Sequence, residues 1–323
     1  MKENNFYTFT KNFVLPSGDV VSDSESLRHN TNSLLSPVEA YAMAYDLIND
    51  REIKDKIINR IIFYINLSPH SLPYVVDLRT FSLYEPNHVN MQHSFWVSKV
   101  LHDHFILTQD KKFYDFSLKV FNAACDFFQK TNFSNWSEST RFFPSIKALT
   151  CMEVFHHFDK VEILNQALDF YEKELFNHKI GLYNSKIEIP EFDHLYHENL
   201  ELAEGFYCMY RYTLDSKYLN KAQDILKSLK NHIANTKNNM SRLQFYFLSQ
   251  LLDFDNQFIE SKVKEYLDIF NSGNNLRPYD RYQLSYSRNG QQAIRCSPND
   301  IFMNIYLLRI FTDYKLFCDG KLK

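Results

Sequence analysis

The strongest constraint in this chain is a helical hairpin that occurs twice. Gln92–Phe128 and Leu200–Ile233 each read as helix, tight turn, helix. Their turns share one pattern, Thr-x-Asp-x-Lys-aromatic, at Thr108/Asp110/Lys112/Phe113 and again at Thr213/Asp215/Lys217/Tyr218. The copies lie about 105 residues apart with room for one degenerate unit between them, which sets a period of roughly fifty residues. A chain with such a period reads as stacked helix pairs, each burying its apolar face against its neighbours.

Composition bears on which pairs can form. The 323 residues are 45% hydrophobic, enough for a sizeable core, but include only 6 Gly and 9 Pro, too few turn residues for a many-stranded fold. An all-α class follows. The 29 Phe and 21 Tyr suit bulky helix–helix packing, and Tyr also pairs a flat apolar face with a hydroxyl, as a sugar groove requires. A net charge of −3 with no basic stripe argues against nucleic acid as a partner. Cys125, Cys151, Cys208, Cys296 and Cys318 are odd in number, widely spaced and free of a CxxC pair, so they read as reduced core thiols. The start lacks an apolar run of signal-peptide length, and no stretch is apolar enough to span a bilayer; a cytoplasmic protein without membrane partners is expected.

Along the chain, residues 1–36 read as an irregular lead-in and 37–323 as one toroid domain. Ser36-Pro37 supplies an N-cap and a first-turn proline. First helices are expected near 37, 91, 138, 198, 240 and 298, with second helices at 52–66, 111–130, 160–177, 216–235 and 256–271. Leu67–Met91 is a long connection with a β-prone piece, LPYVVDLRTF, and HKIGLYNSKIEIPEFDHLYH has room for a small hairpin. Eleven helices at this spacing approach six hairpins closed in a ring, an α/α toroid. In that arrangement the long loops, and the N-termini of the first helices, gather on the side where a funnel opens.

Polar residues crowd those loops. The first supplies Arg79, Glu85 and His93, with Trp96 one turn on; the second supplies Trp136, Glu138 and Arg141. The third supplies Asp193, His194, His197, Glu198 and Glu201, and the last Tyr279, Asp280, Arg281, Tyr286 and Arg288. Arg forks grip a carboxylate and aromatic faces stack on sugar rings, so an acidic oligo- or polysaccharide is the partner this set suits. Arg79, Glu85, Trp96, Trp136, Arg141, His194, His197, Arg281 and Arg288 are the candidate substrate-binding residues. His93, Tyr279, Tyr286 and Glu198 are the candidates for proton transfer. His194-x-x-His197-Glu198 lacks the HExxH spacing, and no GxSxG, P-loop or GxGxxG motif occurs, so no metal or cofactor is assigned. His102 and His104 fall mid-helix and read as packing or surface residues.

The string DLRTFSLYEPNHVNMQHSFWVSKVLHDHFILT, Asp77–Thr108, resembles the closing part of the glucuronyl 5-epimerase family, in which a DLRxF segment precedes Pro-Asn and a Tyr-His step. Asp77, Leu78, Arg79, Phe81, Pro86, Asn87 and His93 match; Gln92 stands in place of the tyrosine, and the string sits early in this chain. The resemblance implies an α/α-toroid enzyme that abstracts a proton beside a uronate carboxylate, with Arg79 as the carboxylate clamp. A polysaccharide lyase shares that first step. The alternatives are a glycoside hydrolase using carboxylates such as Glu138, Asp193, Glu198 and Asp280, and a non-catalytic helical-repeat binding protein.

Overall fold

A computed structural model describes residues 14–21, 35–84, 86–87, 89, 91–130, 151–183, 192–233, 239–252, 284–288 and 291–295. Nine helices occur among the described residues: α1 Val38–Leu47, α2 Arg51–Leu67, α3 Met91–Thr108, α4 Lys111–Lys130, α5 Met152–His157, α6 Val161–Glu174, α7 Phe192–Thr213, α8 Ser216–Ile233 and α9 Asn239–Leu251. Strands are few and short. β1 (Leu35–Pro37), β2 (Val75–Asp77) and β3 (Ser82–Tyr84) form an antiparallel trio in that order; β4 (Phe176–Asn177) pairs with β5 (Leu182–Tyr183), and β6 (Leu284–Arg288) with β7 (Gln291–Arg295). The β-prone piece of the first long loop is β2; near the third loop a small hairpin forms as β4–β5, but its first strand falls within the expected helix 160–177, which ends at Glu174. The expected helices 256–271 and 298–317, and the part of the third pair before residue 151, lie outside the described residues.

The repeated turn explains the period. In both full copies the threonine hydroxyl bonds back to the carbonyl four residues earlier, Thr108 to His104 at 2.7 Å and Thr213 to Met209 at 2.8 Å. The aspartate carboxylate then caps the next helix, Asp110 Oδ1 accepting from the Lys112 amide at 2.9 Å and Asp215 Oδ1 from Lys217 at 3.0 Å. Between them one residue takes the left-handed conformation that ends the first helix, Gln109 (φ 61°) and Leu214 (φ 56°). The degenerate unit keeps that geometry without the threonine: Asp159 has φ 53°, and the Ile163 amide meets Lys160 O at 3.1 Å as Phe113 meets Asp110 O. Leu214 pays for left-handed backbone without packing in return, since its side chain is 77% exposed. Leu214→Gly is therefore expected to stabilise the protein by about 0.5–1 kcal/mol, read as a higher urea midpoint.

First and second helices of a pair differ in burial. Val38–Tyr45 of α1 are buried on every side, and most described side chains of α3 and α7 are buried, while α2, α4 and α8 each bury a single apolar stripe. The described residues fall into two compact units, 14–130 with 153–163, and 151–152 with 164–295. The first unit is centred on Phe95, Phe121, Phe128 and Phe155, with Phe95 4.7 Å from Phe155 and 5.8–5.9 Å from the other two rings. Helices α3 and α4 close tightly because Ser98 and Ser117 exchange hydroxyl-to-carbonyl bonds of 3.0 and 2.7 Å. In the second unit Asn199 of α7 holds both backbone polar groups of Tyr183, at 2.9 and 3.0 Å, and so docks β5.

Residues 14–21 are more than a lead-in. Gly18 (φ 89°) lies so close to α2 that a Cβ there would stand 2.4 Å from Lys56 O. Asp19, fully buried, accepts from Tyr41 (3.0 Å), Tyr64 (2.7 Å), Arg60 (2.9 Å) and Ser17 (2.7 Å). Burial alone would raise its carboxyl, but the hydrogen bonds from Ser17, Tyr64 and Arg60 and the Arg60 charge outweigh it and hold the pKa below the usual value. Ser36 is not the cap of α1: its hydroxyl donates to Val20 O at 2.6 Å, and Pro37 occupies the N-cap position with no side-chain bond.

Candidate functional site

Buried polar side chains concentrate on the first helices, mostly in their N-terminal halves. They are Glu39 on α1; Ser94, Ser98, His102 and His104 on α3; Glu198, Asn199 and Glu201 on α7; and Ser241, Gln244 and Ser249 on α9. On the second helices Ser117 alone is of this kind among the described residues. Polar groups are costly to bury unless something polar meets them, so this distribution marks where a polar ligand or a hydrogen-bond network is accommodated.

In the first unit the central pair is Glu39–His93, with His93 Nε2 2.7 Å from Glu39 Oε2 and both side chains mostly buried, at 16% and 5% exposure. The two residues stand in the first turns of α1 and α3. A carboxylate on Nε2 fixes the tautomer with the proton there and leaves the lone pair on Nδ1, an atom that is itself buried in this structure. One turn further along α3, the Trp96 indole donates to Asp46 at 2.7 Å, and Trp96 is 4% exposed, so its ring is packed and not an open sugar platform. Lys99 closes the set, 2.6 Å from Asp103 and 3.9 Å from Asp46. Burial alone would lower its pKa, but these carboxylates win and raise it. Deeper on α3, His104 Nδ1 meets the Tyr45 hydroxyl at 3.1 Å and Nε2 approaches Asp55 at 3.2 Å, a packing role.

Arg79 lies in the four-residue turn between β2 and β3, its side chain exposed and its amide bonded to Asp77 Oδ1 at 2.9 Å. Phe81 closes that turn at φ 51°. Arg79 is thus presented at a hairpin tip by an Asp-capped turn, which accounts for the Asp-x-Arg part of the motif.

In the second unit α7 begins at Phe192, six residues earlier than the sequence suggests, so Asp193, His194, His197, Glu198 and Glu201 are helical and not a loop. Positions 194, 197, 198 and 201 recur at three- and four-residue steps and share one helix face. Glu198 and Glu201 are 1% and 2% exposed, and Glu204 accepts from Gln244 of α9 at 3.2 Å. Tyr286 and Arg288 stand on β6, opposite Ala293 and Gln291 of β7. Glu85, Trp136, Arg141, Tyr279 and Arg281 lie outside the described residues.

Glu39 was the residue that sequence reasoning missed. Its signal is present: it is the single charge in Val38–Tyr45, a stretch otherwise composed of Val, Ala, Tyr and Met that offers no polar face to justify it. Among the described residues no helix is long and apolar enough to cross a membrane.

No family model matches this chain, and the sequence of no curated protein matches it either. Solved structures do. Cellobiose 2-epimerase from Bacillus thermoamylovorans superposes with a TM-score of 0.60 at 11% identity, covering 95% of this chain and 98% of that one. An α-1,6-mannanase from a Salegentibacter species gives 0.54 at 12% identity, covering 97% and 98%. A polysaccharide lyase gives 0.53 at 11% identity, covering 98% of each chain. At such identities the likeness is one of fold, and the fold is the α/α toroid that the helical period implies.

Proposed function

We propose that this chain is a carbohydrate-active enzyme that removes a proton from a sugar carbon, with His93 as the base and Glu39 as the group that orients it. The single observation behind this reading is the buried 2.7 Å His93–Glu39 pair at the start of two first helices. In the reaction the carbon–hydrogen bond breaks, its proton passes to His93 Nδ1, and the electron pair remains on the sugar as an enolate-like anion. The Glu39 carboxylate favours the imidazolium formed in that step. The proposed substrate is an acidic, uronate-containing glycan whose carboxylate is met by Arg79. Similar folds supply support: they include a sugar epimerase and a polysaccharide lyase, and a variant of the mannanase was solved with α-1,6-mannotriose. Epimerase and lyase share this first step and part afterwards, by return of a proton to the opposite face or by loss of a leaving group.

A second reading, glycoside hydrolysis, is favoured by Glu198 and Glu201, two buried carboxylates on one face of α7. Incubation with uronate-containing and neutral oligosaccharides in deuterated water separates the readings. Deuterium at carbon five is expected for epimerisation and unsaturated ends for elimination. New reducing ends without isotope exchange would establish the hydrolase and remove His93 as carbon base. Binding without any conversion would leave a glycan-binding module.

A further inference from the structure

His102 is a buried imidazole that the proposed reaction does not use. It lies in the middle of α3 at 5% exposure, with both ring nitrogens shut off from solvent and without a hydrogen-bond partner. A neutral imidazole has one N–H to donate and one lone pair to fill, so this burial is costly. Its ring instead meets that of His157, the exposed last residue of α5, with centroids 3.9 Å apart and planes at 51°. Phe105 and Phe158 border the pair at 6.1 Å from His102, and Tyr114 of α4 lies 6.0 Å from His157. The rings are too close to share a metal ion, since two nitrogens each about 2.0–2.1 Å from a metal set ring centres at roughly 5 Å.

We propose that the His102–His157 contact is an acid-sensitive latch between α3 and α5, closed while the buried His102 ring is neutral and opened when that ring takes up a proton. The charged groups facing it are Lys99 and Asp103 on α3 and, from α5, His157 itself; Glu153 on α5 acts on Lys99, and α4 contributes the uncharged Tyr114. Burial first, then the His157 charge and Lys99, push the His102 pKa below its ordinary value of 6.5, with Asp103 opposing. The sign follows. Below 6.5 the opened form binds a proton that the closed form refuses, so the latch is intact above that pH and weakens as the pH falls.

Two measurements on the full chain test this. In an NMR titration the His102 imidazole is expected to have its midpoint below 6.5; a midpoint at or above that value overturns the latch. In amide hydrogen exchange, corrected for the intrinsic pH dependence, protection across residues 153–163 is expected to fall by up to about tenfold per pH unit on acidification below roughly pH 6. In His102→Phe, whose ring fills the space without titrating, it is expected to stay flat. Equal pH dependence in the two proteins overturns the proposal. Should the phenylalanine variant not fold, His157→Gln at the exposed position is read instead: the loss of protection then moves to lower pH, and an unmoved curve has the same overturning force.

Discussion

The His93→Gln variant is expected to lose turnover by about 10²–10⁴-fold while keeping a melting temperature close to that of the parent. The glutamine amide can still donate to Glu39, so the buried carboxylate keeps a partner and the fold is spared the cost of an orphaned charge. What disappears is the basic nitrogen. Glu39→Gln is the complementary change: it preserves size and hydrogen bonding but removes the charge that favours the imidazolium, and it is expected to lower turnover less than loss of the base itself. Because the two residues act as one unit, the double variant is expected to be no slower than His93→Gln alone. Deuterium incorporation into a uronate glycan is the assay. Full isotope exchange by His93→Gln would remove this residue from the chemistry.

The largest expected effect on stability belongs to the short segment before α1. Asp19→Ala removes one partner of a buried ionic and hydrogen-bonded cluster, leaving the Arg60 guanidinium and the Tyr41 and Tyr64 hydroxyls without their common acceptor. Such a change costs about 3–5 kcal/mol, a large share of a typical domain's stability. A urea melt is the measurement, and a midpoint unchanged from the parent would contradict the burial of this cluster. Acid dependence gives an independent reading. The folded carboxyl titrates below its ordinary value of 3.8, so its stabilisation is present above that pH and is lost as the pH falls through the lowered folded value. Asp19→Asn is expected to flatten that loss.

Where the sequence carried a local signal, it was readable. The Thr-x-Asp-x-Lys-aromatic string maps onto one set of turn and capping bonds in both copies, and the period survives in the degenerate unit because the left-handed turn geometry persists without the threonine. Of the packing or surface positions read for His102 and His104, the structure shows burial: both rings are inside the first unit. The start of α7 was obscured for a physical reason. The stretch Asp193–Glu198 is rich in His and carboxylates and shows no apolar repeat at helical spacing, so by sequence it resembles a loop. The anchoring of Asp19 was equally hidden, because its partners lie 22, 41 and 45 positions further along the chain.

The self-pinned turns bear on how the chain finds its fold. Each full copy is fastened by atoms within a few residues of one another, so α3–α4 and α7–α8 need little loop closure before their helices meet. These hairpins are therefore expected to condense early, as nuclei of low contact order, whereas the clip of residues 14–21 onto α2 awaits a partner already in place. Kinetically, substitutions at Thr108 or Thr213 would slow refolding, and those at Asp19 would chiefly hasten unfolding.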